Sequence, residues 1–107
     1  MHEKHYLLMQ KHMYKIVFSA QARSEYLSIW QYIAKDNLFY ANEVLNKIDY
    51  SVNILKTFPR IGKSLEDELM EIVEPRYWFR IIYEVVDDEI MILSIFRYKN
   101  HWKQDFQ

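Results

Sequence analysis

The chain has 107 residues, half of them apolar, with 14 Lys/Arg against 15 Asp/Glu and a formal net charge of -1. These values fit one folded domain with a single core and exclude a disordered chain. The absence of Cys excludes disulfides, thiolate metal sites and a Cys nucleophile. One Gly and two Pro are too few for a many-stranded barrel or a glycine-rich nucleotide loop. The near-neutral balance lacks the basic footprint of many small nucleic-acid binders.

The charge is uneven. Residues 1–65 are basic overall, whereas the nine residues Glu66 to Glu74 hold five acids and no base. No apolar run approaches the ~20 residues of a membrane span. The stretch Tyr6 to Met9 is too short for a signal-peptide core. A cytoplasmic protein with no membrane contact is expected.

Residues 1–12 show no clear period and read as an N-terminal extension to a single domain over 13–107. His2, His5 and His12 lack the convergent partners that a metal site needs, and neither a metal nor a cofactor is expected. Tyr14 to Phe18 is β-rich and reads as a strand. Ser19 is a suitable N-cap for a helix from Ala20 to about Lys35. Ala22, Tyr26, Ile29, Trp30 and Ile33 form its apolar face. A second helix is predicted over about Phe39 to Lys56, with the stripe Ala41, Val44, Leu45, Ile48, Val52 and Leu55. Pro59 disfavours helical geometry at Phe58 and stops it. The short connection makes the two helices an antiparallel hairpin. Trp30, Tyr32 and Tyr40, at helical spacings, read as core or hairpin packing.

After the turn at Gly62 the pattern becomes strand-like. Leu69 to Val73 is a short strand that Pro75 interrupts. Tyr77 to Val86 places Tyr77, Phe79, Ile81, Tyr83 and Val85 on one face. The other face carries Arg80 and Glu84. Asp87-Asp88 turns the chain into a last strand, Glu89 to Arg97, where Ile90, Ile92 and Phe96 alternate with Met91, Leu93 and Ile95. The order β-α-α-β-β-β gives an α+β fold, with the helical hairpin on one face of a mostly antiparallel sheet.

These segments, in this order, resemble the RelE/ParE superfamily of toxins from bacterial type II toxin–antitoxin modules. The resemblance rests on Tyr14 to Ser19, Tyr32 to Asn37, Leu55 to Gly62, Phe79 to Val85 and Ile90 to Phe96. It spans residues 14 to about 102, and the long hairpin looks more like the ParE branch. The resemblance implies a plasmid-stabilisation type toxin, neutralised by a cognate antitoxin from the same operon. ParE-like members poison DNA gyrase. RelE-like members are metal-independent endonucleases that cut mRNA on the ribosome, with basic side chains stabilising the phosphate charge. An inactive member that only binds antitoxin is a third reading.

Arg80 matches the core-strand arginine of the nuclease branch. That branch also carries a second arginine after the last strand and a tyrosine in the tail. Here the continued match puts Asn100 and Phe106 at those places. Asn has no charge to offer a phosphate, and Phe has no hydroxyl. If the protein is a nuclease, Arg80, Arg97, Lys99 and His101 are the candidate catalytic residues. If it binds a target or antitoxin by contact, Arg80, Arg97, Tyr98, Lys99 and Trp102 are the candidates, because Phe96 to Lys103 interleaves aromatic and basic side chains. The gyrase-binding reading is preferred over the enzyme. Arg80 also has a plain structural reading, as a strand arginine paired with Glu84. The acids Glu66, Asp67, Glu68, Glu71 and Glu74 lack the spacing of a calcium loop and read as a solvated lead-in or a surface for a basic antitoxin segment.

Overall fold

The computed structural model describes residues 13–97. The extension 1–12, with its three His, and the tail carrying Tyr98, Lys99, Asn100, His101, Trp102 and Phe106 lie outside the described residues. The element order is β1 (Lys15–Phe18), α1 (Ala20–Ala34), α2 (Leu38–Ile54), β2 (Lys63–Ser64), β3 (Met70–Glu74), β4 (Phe79–Val86) and β5 (Glu89–Phe96). The sheet order is β1-β5-β4-β3-β2. β1 runs parallel to β5, and the other pairs are antiparallel. Two helices on one face of this sheet make the expected α+β fold. The two-residue β2 is an addition that no sequence period signals.

Ser19 starts α1 as its sequence suggests. Its Oγ accepts the Ala22 N–H at 3.0 Å and donates to the Leu93 carbonyl at 3.2 Å. One hydroxyl therefore satisfies an orphan helix donor and ties the helix start to β5. Asn37 caps α2 in the same manner, accepting the Tyr40 N–H at 2.9 Å. The stripe of α2 is buried through Ala41, Val44, Ile48 and Val52, and Leu55 follows it into the core. On the sheet side the core is Met70, Phe79, Ile81, Tyr83, Ile90, Ile92 and Ile95. Polar bonds close the hairpin as well. Tyr26 donates to Asp49 at 2.6 Å, and Trp30 donates to Asn42 at 2.8 Å.

The last strand departs from simple alternation. Tyr83 pairs with Ile92, but Ile82 pairs with Ser94, so Leu93 is an extra residue in β5. This β-bulge lets Ile92 and Ile95, three positions apart, both enter the core. The expected grouping of Phe96 with Ile90 and Ile92 is thereby corrected: Ile95 takes the core place and Phe96 is half-buried. The bulge carbonyl is the one that Ser19 satisfies.

Two further corrections concern the hairpin and the turns. Tyr32 is 65% exposed and Tyr40 is 41% exposed, so neither is a core packing residue. Tyr77 and Trp78 lie in the β3–β4 turn rather than in β4. Tyr77 is nonetheless buried, because Glu74 holds the turn. The Glu74 carboxylate accepts the Arg76 N–H at 2.6 Å and the Tyr77 N–H at 2.7 Å.

Candidate functional site

Arg80 sits near the start of β4, opposite Phe96 on β5 and Val73 on β3. Its guanidinium forms an ion pair with the carboxylate of Glu71. Glu71 lies diagonally across the β3–β4 ladder, opposite Ile82. Diagonal neighbours on one sheet face are within reach of long side chains. The partner is therefore Glu71 on the next strand, and not Glu84 four residues along the same one. Glu71 is only 6% exposed, and the Arg80 side chain only 21%. Two of the acids between Glu66 and Glu74 thus have interior roles, Glu71 as the counterion of Arg80 and Glu74 as the cap of a turn. Glu66, Asp67 and Glu68 remain exposed, as expected for a lead-in.

Arg97 follows directly on β5 and places its guanidinium 5.4 Å from the centroid of the Phe79 ring. At that distance the ring face attracts the cation and holds the side chain over the sheet. Arg80 and Arg97 are therefore brought to one end of the β4–β5 ladder. Lys99, His101, Tyr98 and Trp102, the other candidate residues, lie outside the described residues. Among the described residues, no group of three or more His, Asp or Glu is close enough to hold a metal ion.

A groove of about 780 Å³ opens at this same end, between the loop end of the helical hairpin and the C-terminal end of β5. Ile29, Tyr32, Ile33 and Tyr40 line its helical wall, and Phe79, Ile95 and Phe96 line its sheet wall. Glu25, Asp36 and Arg97 supply charge at its margin. Glu25 is anchored: its Oε1 accepts the Ile95 N–H at 2.9 Å and the Ser94 hydroxyl at 3.0 Å. These bonds occur where β1 has ended at Phe18 and β5 has lost its parallel neighbour. The helix carboxylate satisfies the sheet edge there, and the groove begins just beyond. No signal in the sequence announced this groove, because its walls come from the helical hairpin and the last two strands, which are far apart in the chain.

Behind the groove, Tyr77 donates its hydroxyl to Glu43 on α2 and packs edge-on against Tyr40, with ring centroids 5.5 Å apart. Burial first, and the Glu43 carboxylate second, push the Tyr77 phenol up to about 12. The Tyr83 phenol is also raised by burial, although the Gly62 N–H and Arg60 oppose the shift. Its hydroxyl donates to the Pro59 carbonyl at 2.8 Å and accepts the Gly62 N–H at 3.1 Å. All three tyrosines with resolved shifts, Tyr26, Tyr77 and Tyr83, are held in the neutral form. They are structural groups and not proton carriers near neutral pH.

The architecture is thus a mostly antiparallel sheet under a helical hairpin, with Arg80 ion-paired in the sheet and an apolar groove at the ladder's end. The chain matches the family model described as the ParE toxin of the type II toxin–antitoxin system, parDE, over residues 16–102, and it belongs to that family. A structure of the chromosomal ParDE toxin–antitoxin system from P. aeruginosa shares the fold, with a TM-score of 0.70 and 22% identity over 82% of this chain and 99% of that one. The YoeB dimer from Staphylococcus aureus aligns with a TM-score of 0.40 and 26% identity over 80% of this chain and 98% of that one. A search of curated proteins finds no match. The protein is the toxin component of a type II module. Among the described residues, no helix is long and apolar enough to cross a membrane.

Proposed function

We propose that this toxin acts in the cytoplasm by binding DNA gyrase, with residues 13–107 as its single functional domain, and that a cognate antitoxin from its own operon restrains it. The observation that carries this reading is the Arg80–Glu71 ion pair. A nuclease needs uncommitted positive charge where the phosphate charge develops. Arg80 is the one residue of the nuclease set that this chain retains, and its charge is matched by a nearly buried carboxylate. Asn100 and Phe106 at the other two places add neither charge nor a phenol. A net charge of -1 also gives little attraction to the phosphate-rich ribosome.

Gyrase binding asks instead for contact area. Arg97, Tyr98, Lys99 and Trp102 supply the aromatic and basic anchors that dominate such interfaces. The antitoxin has its own surface to cover. Along α2 and the turn after it, Phe39 is 79% exposed, and Tyr50, Ile54, Phe58 and Ile61 are exposed as well. So much exposed apolar surface on a small protein marks a binding face.

The test is induction of the protein with DNA supercoiling and mRNA integrity followed together. Loss of negative supercoiling with intact mRNA is expected. Codon-specific cleavage in a translation extract, abolished by Arg80→Ala, would overturn the reading in favour of a ribosome-dependent nuclease.

A further inference from the structure

One edge of the sheet is β2, with β3 on one side of it and, among the described residues, no strand on the other. Lys63 and Ser64 stand opposite Glu71 and Met70, and Leu65 donates its N–H to the Leu69 carbonyl at 2.9 Å. Along an antiparallel ladder, facing pairs alternate between exchanging their hydrogen bonds and pointing them away. Ser64, one place from Leu65, therefore turns its N–H and C=O outward, away from β3. The charge of the chain changes sign at this point. Arg60 and Lys63 precede Ser64, and Glu66, Asp67 and Glu68 follow it, all within four positions. These five residues are exposed, and so are Ile61 and Leu65 between them.

We propose that the free toxin pairs with a second copy of itself along this edge, β2 against β2, antiparallel about a two-fold axis at Ser64. A two-fold contact is self-complementary, so the surface that enters it must carry both halves of every pair. An axis at Ser64 meets that demand. It lays the stretch before Ser64 in one copy against the stretch after Ser64 in the other. Arg60 and Lys63 then meet Glu66, Asp67 and Glu68 at both ends of the contact. The two Ser64 residues exchange their outward N–H and C=O groups, as in other strand additions. Ile61 and Leu65 of both copies are drawn in beside them. A parallel pairing would set like charge against like. Within its own copy Lys63 stands opposite Glu71, whose carboxylate already pairs with Arg80. A lysine on a short edge strand guards that edge against chance pairing. Here the same lysine fits an acidic edge, and the inverted copy supplies one. The contact is small, and small interfaces are weak, so a Kd on the order of 100 μM is expected. Ile61 also belongs to the face assigned above to the antitoxin, so antitoxin and second copy compete for it. The pairing rests on no part of the gyrase reading.

Sedimentation equilibrium of the full chain, from a tenth of that concentration to ten times it, reads the association. Arg60→Glu with Lys63→Glu makes both arms of the edge acidic, and Glu66→Lys with Glu68→Lys makes both basic. Each double variant is expected to stay monomeric. An equal mixture of the two is expected to restore the dimer, because each supplies the arm that the other lacks. Lys63→Glu and Glu66→Lys alone take their place if a double variant does not fold. Salt at 1 M cuts the screening length to about 3 Å and is expected to lower the dimer fraction of the unmodified chain. Hydrogen exchange at the Ser64 amide is expected to slow roughly tenfold once nine-tenths of the chains are paired. A chain that stays monomeric at the highest concentration overturns the proposal. So does a dimer that the folded charge variants leave intact, or a mixture of them that fails to associate. A dimer that leaves Ser64 exchange unchanged places the contact elsewhere and overturns it too. Gyrase enters none of these measurements, so their failure is separate from failure of that reading.

Discussion

At the scale of the residue, the sheet spends its charged groups on structure. Glu71 is buried because Arg80 lies diagonally across the ladder from it. Removing one partner of a buried pair leaves the other charge uncompensated, which is worse than replacing both. Glu71→Ala is therefore expected to cost about 3 kcal/mol, toward the lower end for such pairs because Arg80 keeps some solvent contact. The double replacement Arg80→Met with Glu71→Leu should cost less than Glu71→Ala alone. Urea denaturation midpoints of the three proteins check the order. The pairing was not legible in the sequence, where Glu84 is the nearer acid. Only the register, with Glu71 opposite Ile82 and Val73 opposite Arg80, brings the right two groups together.

Tyrosine burial gives a second residue-scale prediction. The folded protein holds the Tyr77 proton more tightly than the unfolded chain, whose phenol titrates near 10. Below pH 10 both states keep the proton and the stability is unaffected. Between pH 10 and 12 the unfolded chain loses its proton first, so stability falls as pH rises through that window. The sign follows from the linkage of proton binding to folding. Tyr26 and Tyr83 shift in the same direction and steepen the fall. Thermal midpoints between pH 8 and 12 should drop more gently for Tyr77→Phe than for the unmodified protein.

At the scale of the element, periodicity carried most of the information. The α2 stripe needed no tertiary knowledge, because steps of three and four already aligned Ala41, Val44, Ile48 and Val52. Ile48→Ala is expected to cost about 2–5 kcal/mol, as for a fully buried aliphatic residue. Lys47→Ala, one residue away on the exposed face, should stay within about 0.5 kcal/mol. Equal denaturation midpoints for the two would mean that the helix faces are reversed. Period two served β4 well but misled in β5, because a bulge leaves little mark on a run that is apolar on both faces apart from Ser94. Leu93 could be the extra residue or an ordinary one by composition. The decision belongs to Ser19, whose hydroxyl satisfies the bulge carbonyl from 74 residues away.

The turn at Gly62 shows the same limit. The sequence marks it as a breaker, yet its φ is not in the left-handed region. What requires glycine is space: a Cβ there would stand 2.6 Å from the Glu71 carbonyl oxygen and 2.6 Å from the Tyr83 hydroxyl. The phenol is fixed by the Pro59 carbonyl and cannot yield freely. Gly62→Ala is expected to cost about 1–3 kcal/mol as an overpacked site. The denaturation midpoint checks the size, and part of the loss should persist in a Tyr83→Phe background, because the Glu71 carbonyl oxygen stays equally close.

At the scale of the whole molecule, topology brings the groove and Arg97 to one end of the ladder. β1 stops at Phe18, Glu25 covers the next stretch of sheet edge, and the groove, Arg97 and the start of the tail follow in order. Arg97 was legible as part of an aromatic and basic run, but its place beside a groove was not. The two branch readings make opposite demands on this end. A nuclease depends on the charge of Arg80, whereas a gyrase binder depends on the surface of the tail. The Arg80→Met, Glu71→Leu protein separates them, because it removes the charge while leaving no buried group unpaired. It is expected to arrest growth as the unmodified toxin does, with supercoiling lost and mRNA intact. Trp102→Ala removes an aromatic anchor of the kind whose loss costs 2 kcal/mol or more, roughly thirtyfold in affinity. It should therefore raise the expression level needed for arrest. Full toxicity of Trp102→Ala together with loss of toxicity in the double variant would transfer the activity from the tail to the arginine, and with it the target from gyrase to RNA.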